Sequence, residues 1–124
     1  DCVDVISSSG YYPIQDWEQE LDRIEAVVKA YHKPFFFAEA GCMSRTGSKH
    51  VPNNWGIEGK LRLEEQVEWY TTMFESCRKR EWMQGYGVWE WAPAVPSAKQ
   101  AYKDDSYQIC QKPVQEIIKK YYKK

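Results

Sequence analysis

The order of apolar segments along this chain predicts an α/β fold of three successive βα units, the alternation that builds a parallel sheet with right-handed crossovers. Three observations carry that expectation. Phe35-Phe36-Phe37-Ala38 is a continuous apolar run, as found in strands buried on both faces of a parallel sheet. Two stretches, from Trp17 and from Leu63, place apolar residues three and four apart, the period of an amphipathic helix. No two strand-like runs are joined by a hairpin turn.

Taken in order, Val3 to Ser9 reads as a first strand, ended by Gly10-Tyr11-Tyr12-Pro13. The helix from Trp17 runs through Leu21, Ile24, Val27, Val28 and Tyr31, with Glu18, Glu20 and Asp22 early and Lys29, His32 and Lys33 late, charges that suit the helix dipole. Pro34 stops it, and the second strand ends at Glu39. The stretch from Ala40 to Gly59 carries four glycines, Pro52, Asn53 and Asn54, and is too long for an ordinary connector. Leu63, Val67, Trp69, Tyr70, Met73, Phe74 and Cys77 form the second helix, introduced by Glu64 and Glu65 and followed by Arg78, Lys79 and Arg80. Gly85 to Trp91 alternates as a third strand that Ala92-Pro93 ends. A polar loop then leads to Pro113, the start of a last helix through Val114, Ile117, Ile118, Tyr121 and Tyr122.

Composition narrows the function classes. The 124 residues are 43% apolar, 28% charged and 15% aromatic, a globular balance for one domain. Lys plus Arg number 17 against 18 Asp plus Glu, so a net charge of −1 offers no field for nucleic acid or an anionic membrane surface. The longest apolar run, Pro34 to Ala38, is far below the roughly 18 residues of a membrane span, and no basic-then-apolar leader opens the chain. Neither nucleic acid nor membrane is expected as a partner; cytoplasmic and secreted locations both stay open. Cys2, Cys42, Cys77 and Cys110 are widely spaced, with no CxxC pair and no histidine at ligand spacing, so no metal site or cofactor is expected. Isolated thiols and two disulfides both remain open.

Sites in parallel α/β sheets lie at the carboxyl ends of the strands. The residues there are Tyr11 and Tyr12, Glu39, and Trp89 to Trp91. Period-two alternation counted back from Glu39 puts Phe37 and Phe35 on its side and sends Phe36 and Ala38 toward the helices. Gly85 and Gly87 would leave room for phenylalanines of the neighbouring strand, which places Trp89 inward and Glu90 outward. A glutamate at the mouth of an aromatic strand, beside phenol hydroxyls and indole faces, suits attack on a sugar carbon with oxocarbenium character. The plainer alternatives are a strand-end carboxylate that caps an amide or pairs with a lysine, and a tryptophan that packs the core. Cys42 has no histidine near it in sequence and is expected only as a pocket wall.

Tyr11-Tyr12-Pro13, Phe36-Phe37-Ala38-Glu39-Ala40-Gly41 and Gly87-Val88-Trp89-Glu90-Trp91, in that order, resemble the last three strands of clan A glycoside hydrolases, and most of all the β-mannanases of glycoside hydrolase family 113 and their family 5 relatives. Pro52 to Trp55, Gln66 and Tyr70, and Asp105-Ser106-Tyr107 to Lys112-Pro113 agree with that likeness. The resemblance implies a carboxyl-terminal portion of a (β/α)₈ barrel over residues 1–124. Glu39 would be the nucleophile of a retaining enzyme acting on β-linked polysaccharide or oligosaccharide, β-mannan favoured. Tyr11, with Tyr12 as the alternative, would hydrogen-bond it; Trp89 would floor the sugar being cleaved, and Trp55 and Trp91 would flank it.

The chain departs from that family in length. A complete barrel takes about 250 residues. The clan's acid/base glutamate follows an asparagine on the fourth strand, yet asparagine occurs only at Asn53 and Asn54, neither before a glutamate. A retaining pair needs its carboxyls about 5–5.5 Å apart, so this chain alone is expected to be inactive. Its exposed inner face and strand edges are expected to be covered by the rest of the barrel or by self-association, with a carbohydrate as substrate. Two other classes remain: a non-catalytic carbohydrate-binding module using Trp55, Trp89 and Trp91, and a plain flavodoxin-like domain, against which stands the poor phosphate cradle at Ser7-Ser8-Ser9-Gly10.

Overall fold

The computed structural model describes residues 2–123. Strand β1 (Ile6–Ser9), helix α1 (Trp17–Tyr31), strand β2 (Phe35–Ala40), a 3₁₀ turn (Ser48–His50), helix α2 (Glu64–Cys77), strand β3 (Met83–Val88), the short helix α3 (Ala98–Ala101) and helix α4 (Val114–Tyr122) follow one another. The three strands form one parallel sheet in the order β1-β2-β3. The alternation expected from the sequence is therefore present, with shifted boundaries: β1 starts at Ile6 rather than Val3, and β3 runs from Met83 to Val88 rather than from Gly85 to Trp91. No helix among the described residues is long and apolar enough to cross a membrane.

The core lies on one face of the sheet. Trp17, Leu21 and Val28 of α1, and Trp69, Tyr70, Met73 and Phe74 of α2, bury themselves against Phe35, Phe37 and Ala40, while Ile117, Ile118 and Tyr121 of α4 close over the side toward β3. Aromatic rings meet edge to face here: Phe35 and Phe37 lie 5.0 Å apart, Trp17 and Phe37 5.7 Å, Trp17 and Trp69 5.4 Å. Such pairs add about 0.5–1.5 kcal/mol each to the gain from buried area. Lys79 and Arg80 lie past the end of α2 and do not complement its dipole from within the last turn. They reach across to α1 instead, Lys79 Nζ to Glu18 (3.1 Å) and Arg80 to Asp22 (2.9 Å).

Among the described residues the other face carries no helix. Ser7, Phe36 and Ala38 are exposed there, and a Cβ on Gly85 would meet nothing within 4 Å. This reverses the expected parity of β2, since Phe35 and Phe37 face the helices and Phe36 and Ala38 face the open side. The cause is a β-bulge. On the β3 side, Phe37 pairs with Tyr86 and Ala40 with Val88, so Ala38 and Glu39 together oppose Gly87. On the β1 side, Ser8 pairs with Phe37 and Ser9 with Glu39, which leaves Ala38 unpaired. The extra residue puts Ala38 and Glu39 on the same face, and strict alternation counted back from Glu39 then gives the wrong side for every residue before it.

Gly87 does not make room for a phenylalanine. A Cβ there would stand 2.1 Å from the Ala38 carbonyl oxygen, so the bulged backbone itself occupies the space. The glycine that does admit a phenylalanine is Gly10, whose Cβ would lie 2.6 Å from the ring of Phe37.

Candidate active site

Three strand ends converge on the open side. Glu39 stands on the bulge and is exposed. Tyr11, in the loop after β1, donates its hydroxyl to Glu39 Oε2 at 3.0 Å. Partial burial, then that hydrogen bond and the charge of Glu39, push the Tyr11 phenol well above its ordinary value. Tyr11 thus remains a proton donor to the carboxylate, and among the described residues it is the one side chain bonded to Glu39.

After β3 the chain turns at Trp89, whose amide donates to the Ala40 carbonyl at 2.8 Å. The ends of β2 and β3 are held close by two further features. Gly41 lets them meet, since a Cβ there would be 2.2 Å from the Trp89 carbonyl oxygen. Tyr70 of α2, fully buried, brings its hydroxyl within 3.3 Å of the Ala40 carbonyl and 3.2 Å of the Trp89 carbonyl. The indole of Trp89 remains 44% exposed on the open side.

The long loop after β2 folds over this end, held from α2 and from the segment before α4. Glu65, buried, accepts from the amides of Gly47 (3.1 Å) and Lys49 (3.2 Å), and Gly47 adopts the positive φ of 91° that this turn requires. Gln66, also buried, directs Nε2 at the carbonyls of Cys42 (2.9 Å), Tyr107 (3.2 Å), Ser106 (3.3 Å) and Gln108 (3.4 Å). Arg45 bridges to Asp105 at 2.8 Å. The buried Lys112 ammonium joins Ser44 Oγ (3.1 Å), Asp104 (2.9 Å) and the Ser106 carbonyl (3.0 Å). Tyr107 donates its hydroxyl to the Pro52 carbonyl.

The result is an open cavity of about 440 Å³ lined by Tyr11, Glu39, Asn53, Trp55, Trp89 and Tyr107. Four of the residues singled out in the sequence, Tyr11, Glu39, Trp55 and Trp89, meet there. Tyr12 lies elsewhere: its ring packs on Trp17 and Phe37, and its carbonyl accepts from the Trp69 indole at 2.8 Å. Trp91 is exposed but does not line the cavity, and neither does Glu90, which is half-buried. Cys42 is not a pocket wall either. It is fully buried, 3.5 Å from Ser48 Oγ, and burial pushes its thiol up to about 12. All four cysteines are free thiols. Among the described residues no group of histidine, cysteine and carboxylate side chains is arranged to hold a metal ion.

Two lining residues, Asn53 and Tyr107, escaped the sequence reading as site residues. The signals for them lay in their stretches: Asn53 stands in the overlong loop and in Pro52 to Trp55, and Tyr107 in Asp105 to Tyr107, both of which agree with the family likeness.

Comparison with known proteins places this chain in a family. The model of Glycoside Hydrolase Family 113 matches residues 1–112. A solved GH113 β-1,4-mannanase is 54% identical, with a TM-score of 0.94 over 98% of this chain and 40% of that one. The GH113 β-mannanase of Alicyclobacillus acidocaldarius is 38% identical, with a TM-score of 0.90 over 96% of this chain and 38% of that one. A β-glucuronidase of Bifidobacterium dentium, 16% identical, shares the fold at a TM-score of 0.67 over 98% of this chain and 21% of its own. No curated protein sequence matches. The chain spans about two fifths of the length of the mannanases it matches. With the family model covering nearly all of it, the chain belongs to glycoside hydrolase family 113.

Proposed function

We propose that residues 1–124 form the nucleophile-bearing, carboxyl-terminal portion of a retaining (β/α)₈ glycoside hydrolase that cleaves β-1,4-linked mannan. The observation that carries this reading is the Tyr11 hydroxyl on Glu39 Oε2, at the floor of a cavity walled by Trp55 and Trp89. Tyr11 engages one carboxylate oxygen and leaves Oε1 to attack the anomeric carbon. As the C1–Oε1 bond forms, the bond from C1 to the glycosidic oxygen breaks, and that oxygen takes a proton from a carboxylic acid. Water, deprotonated by the same acid/base group, then releases the sugar from Glu39.

Trp89 offers its indole face to the apolar side of the sugar ring, and Trp55, 79% exposed, offers a second platform at the rim. The acid/base group comes from the part of the barrel outside residues 1–124, since Glu39 is the one carboxylate among the residues that line the cavity. On this reading the chain by itself does not turn over substrate, and the bare face of the sheet meets the remaining strands. The substrate assignment rests on the mannanases that the chain resembles at 54% and 38% identity.

The test is to trap the intermediate. An activated 2-deoxy-2-fluoro-mannoside, incubated with the enzyme that contains this chain, is expected to leave its label on the peptide carrying Glu39. Glu39→Ala should lower turnover roughly a thousandfold or more. A label on a different carboxylate, or turnover retained by E39A, would remove the assignment. Oligosaccharide binding that persists while no label forms would favour a binding module instead.

A further inference from the structure

Tyr107 ties together three separate segments around the cavity. Its hydroxyl donates to the Pro52 carbonyl, immediately before Asn53 and close to Trp55. Its ring stands edge-on to Tyr11, with centroids 6.1 Å apart and planes at 83°. Its carbonyl accepts both from the Glu90 amide (3.1 Å) beyond β3 and from Gln66 Nε2 (3.2 Å) of α2. The backbone is therefore fixed from two sides while the side chain reaches out to the loop and to the tyrosine that holds Glu39.

We infer that Tyr107 is a positioning residue, which clamps the loop bearing Asn53 and Trp55 over the sugar site and braces Tyr11 against Glu39. The inference rests on the reading of this cavity as a glycosidase site. Two halves of the side chain carry two roles. The hydroxyl sets where Asn53 and Trp55 stand relative to Glu39, a matter of sugar binding; the ring limits the orientations open to Tyr11, a matter of the chemical step. Burial holds the Tyr107 phenol up to about 12, so it donates to Pro52 at any working pH.

The two halves can be removed in turn in the enzyme that contains this chain. Tyr107→Phe deletes only the bond to Pro52. It is expected to raise KM for manno-oligosaccharides roughly 3- to 10-fold, the range of one hydrogen bond, with kcat falling by a smaller factor. Amide hydrogen exchange over residues 51–57 should speed up in the same variant. Tyr107→Leu also removes the ring, and should lower kcat further with little additional change in KM. A KM in Y107F equal to that of the parent overturns the clamp, even where the melting temperature falls, because a purely structural tie would lower stability alone. A kcat in Y107L no lower than in Y107F overturns the brace. These readings hold whichever way E39A behaves: failure of E39A to lose turnover removes the nucleophile assignment, whereas an unchanged KM in Y107F removes only the role of Tyr107.

Discussion

The two faces of the sheet differ in what surrounds them, and the difference explains where chemistry can occur. One face is sealed by α1, α2 and α4, with Phe35, Phe37, Trp17 and Trp69 excluded from water. The other is bare, bearing Ser7, Phe36, Ala38 and Glu39. A single strand, β2, supplies both. Side chains on the sealed face are held by packing and give the fold its stability; those on the bare face are free to meet a ligand. The bulge at Ala38 and Glu39 moves the carboxylate from the first environment to the second within one residue.

The sharpest way to break this contrast is to exchange equivalent losses across β2. Phe37→Ala should lower stability by about 3–5 kcal/mol, the range for an aromatic deleted from a packed core, as measured by chemical denaturation. Gly87→Ala comes next. Its methyl would collide with the Ala38 carbonyl, so roughly 1–3 kcal/mol is expected from the forced shift, together with a displaced Glu39 and lower turnover in the whole enzyme. A fully stable, fully active G87A would mean that the bulge is not what positions the carboxylate.

The smallest effect belongs to a cluster of three charges that fastens the loop from the sealed side. Glu68 accepts from Arg62 at 2.6 Å and from Lys49, and these partners, Arg62 foremost, hold its carboxyl down to about 2 from an ordinary 4.5. A depressed carboxyl contributes stability that is present above pH 4.5 and is lost as the pH falls toward 2. Because the group is over a third exposed, screening reduces the contribution to about 1 kcal/mol or less. Glu68→Gln should flatten the acid limb of the stability profile between those pH values and leave neutral behaviour nearly unchanged. An unaltered acid limb would show that Glu68 adds nothing to the ties that hold the loop.

What could be read from the sequence was whatever obeys a period. The spacing of Trp17, Leu21 and Val28, and of Trp69, Met73 and Phe74, announced α1 and α2 because burial on one side repeats every three or four residues. The bulge broke period two at Ala38, and with it the sidedness of Phe35 and Phe37, since nothing in Phe-Ala-Glu-Ala marks an extra residue. Gly87 did mark it, but as room for backbone rather than for a ring. The short helix α3 lay inside what read as a polar loop, although Ser97 and Gln100 form a capping box, the one local pattern that would have revealed it. Glu39 and Trp89 were legible as strand-end residues. Asn53 and Tyr107 were not, because loops carry no period and their meeting depends on the Gln66 amide and the Pro52 carbonyl.

Gln66 also bears on how such a site ages. Its amide offers two hydrogens to four converging carbonyls, while its own Oε1 is buried without a partner among the described residues. Hydrolysis of that amide, the slow damage of storage, would replace both donors with a negative charge among four carbonyl oxygens. The burial that makes the exchange so costly thus ties the durability of the cavity to the integrity of one side chain.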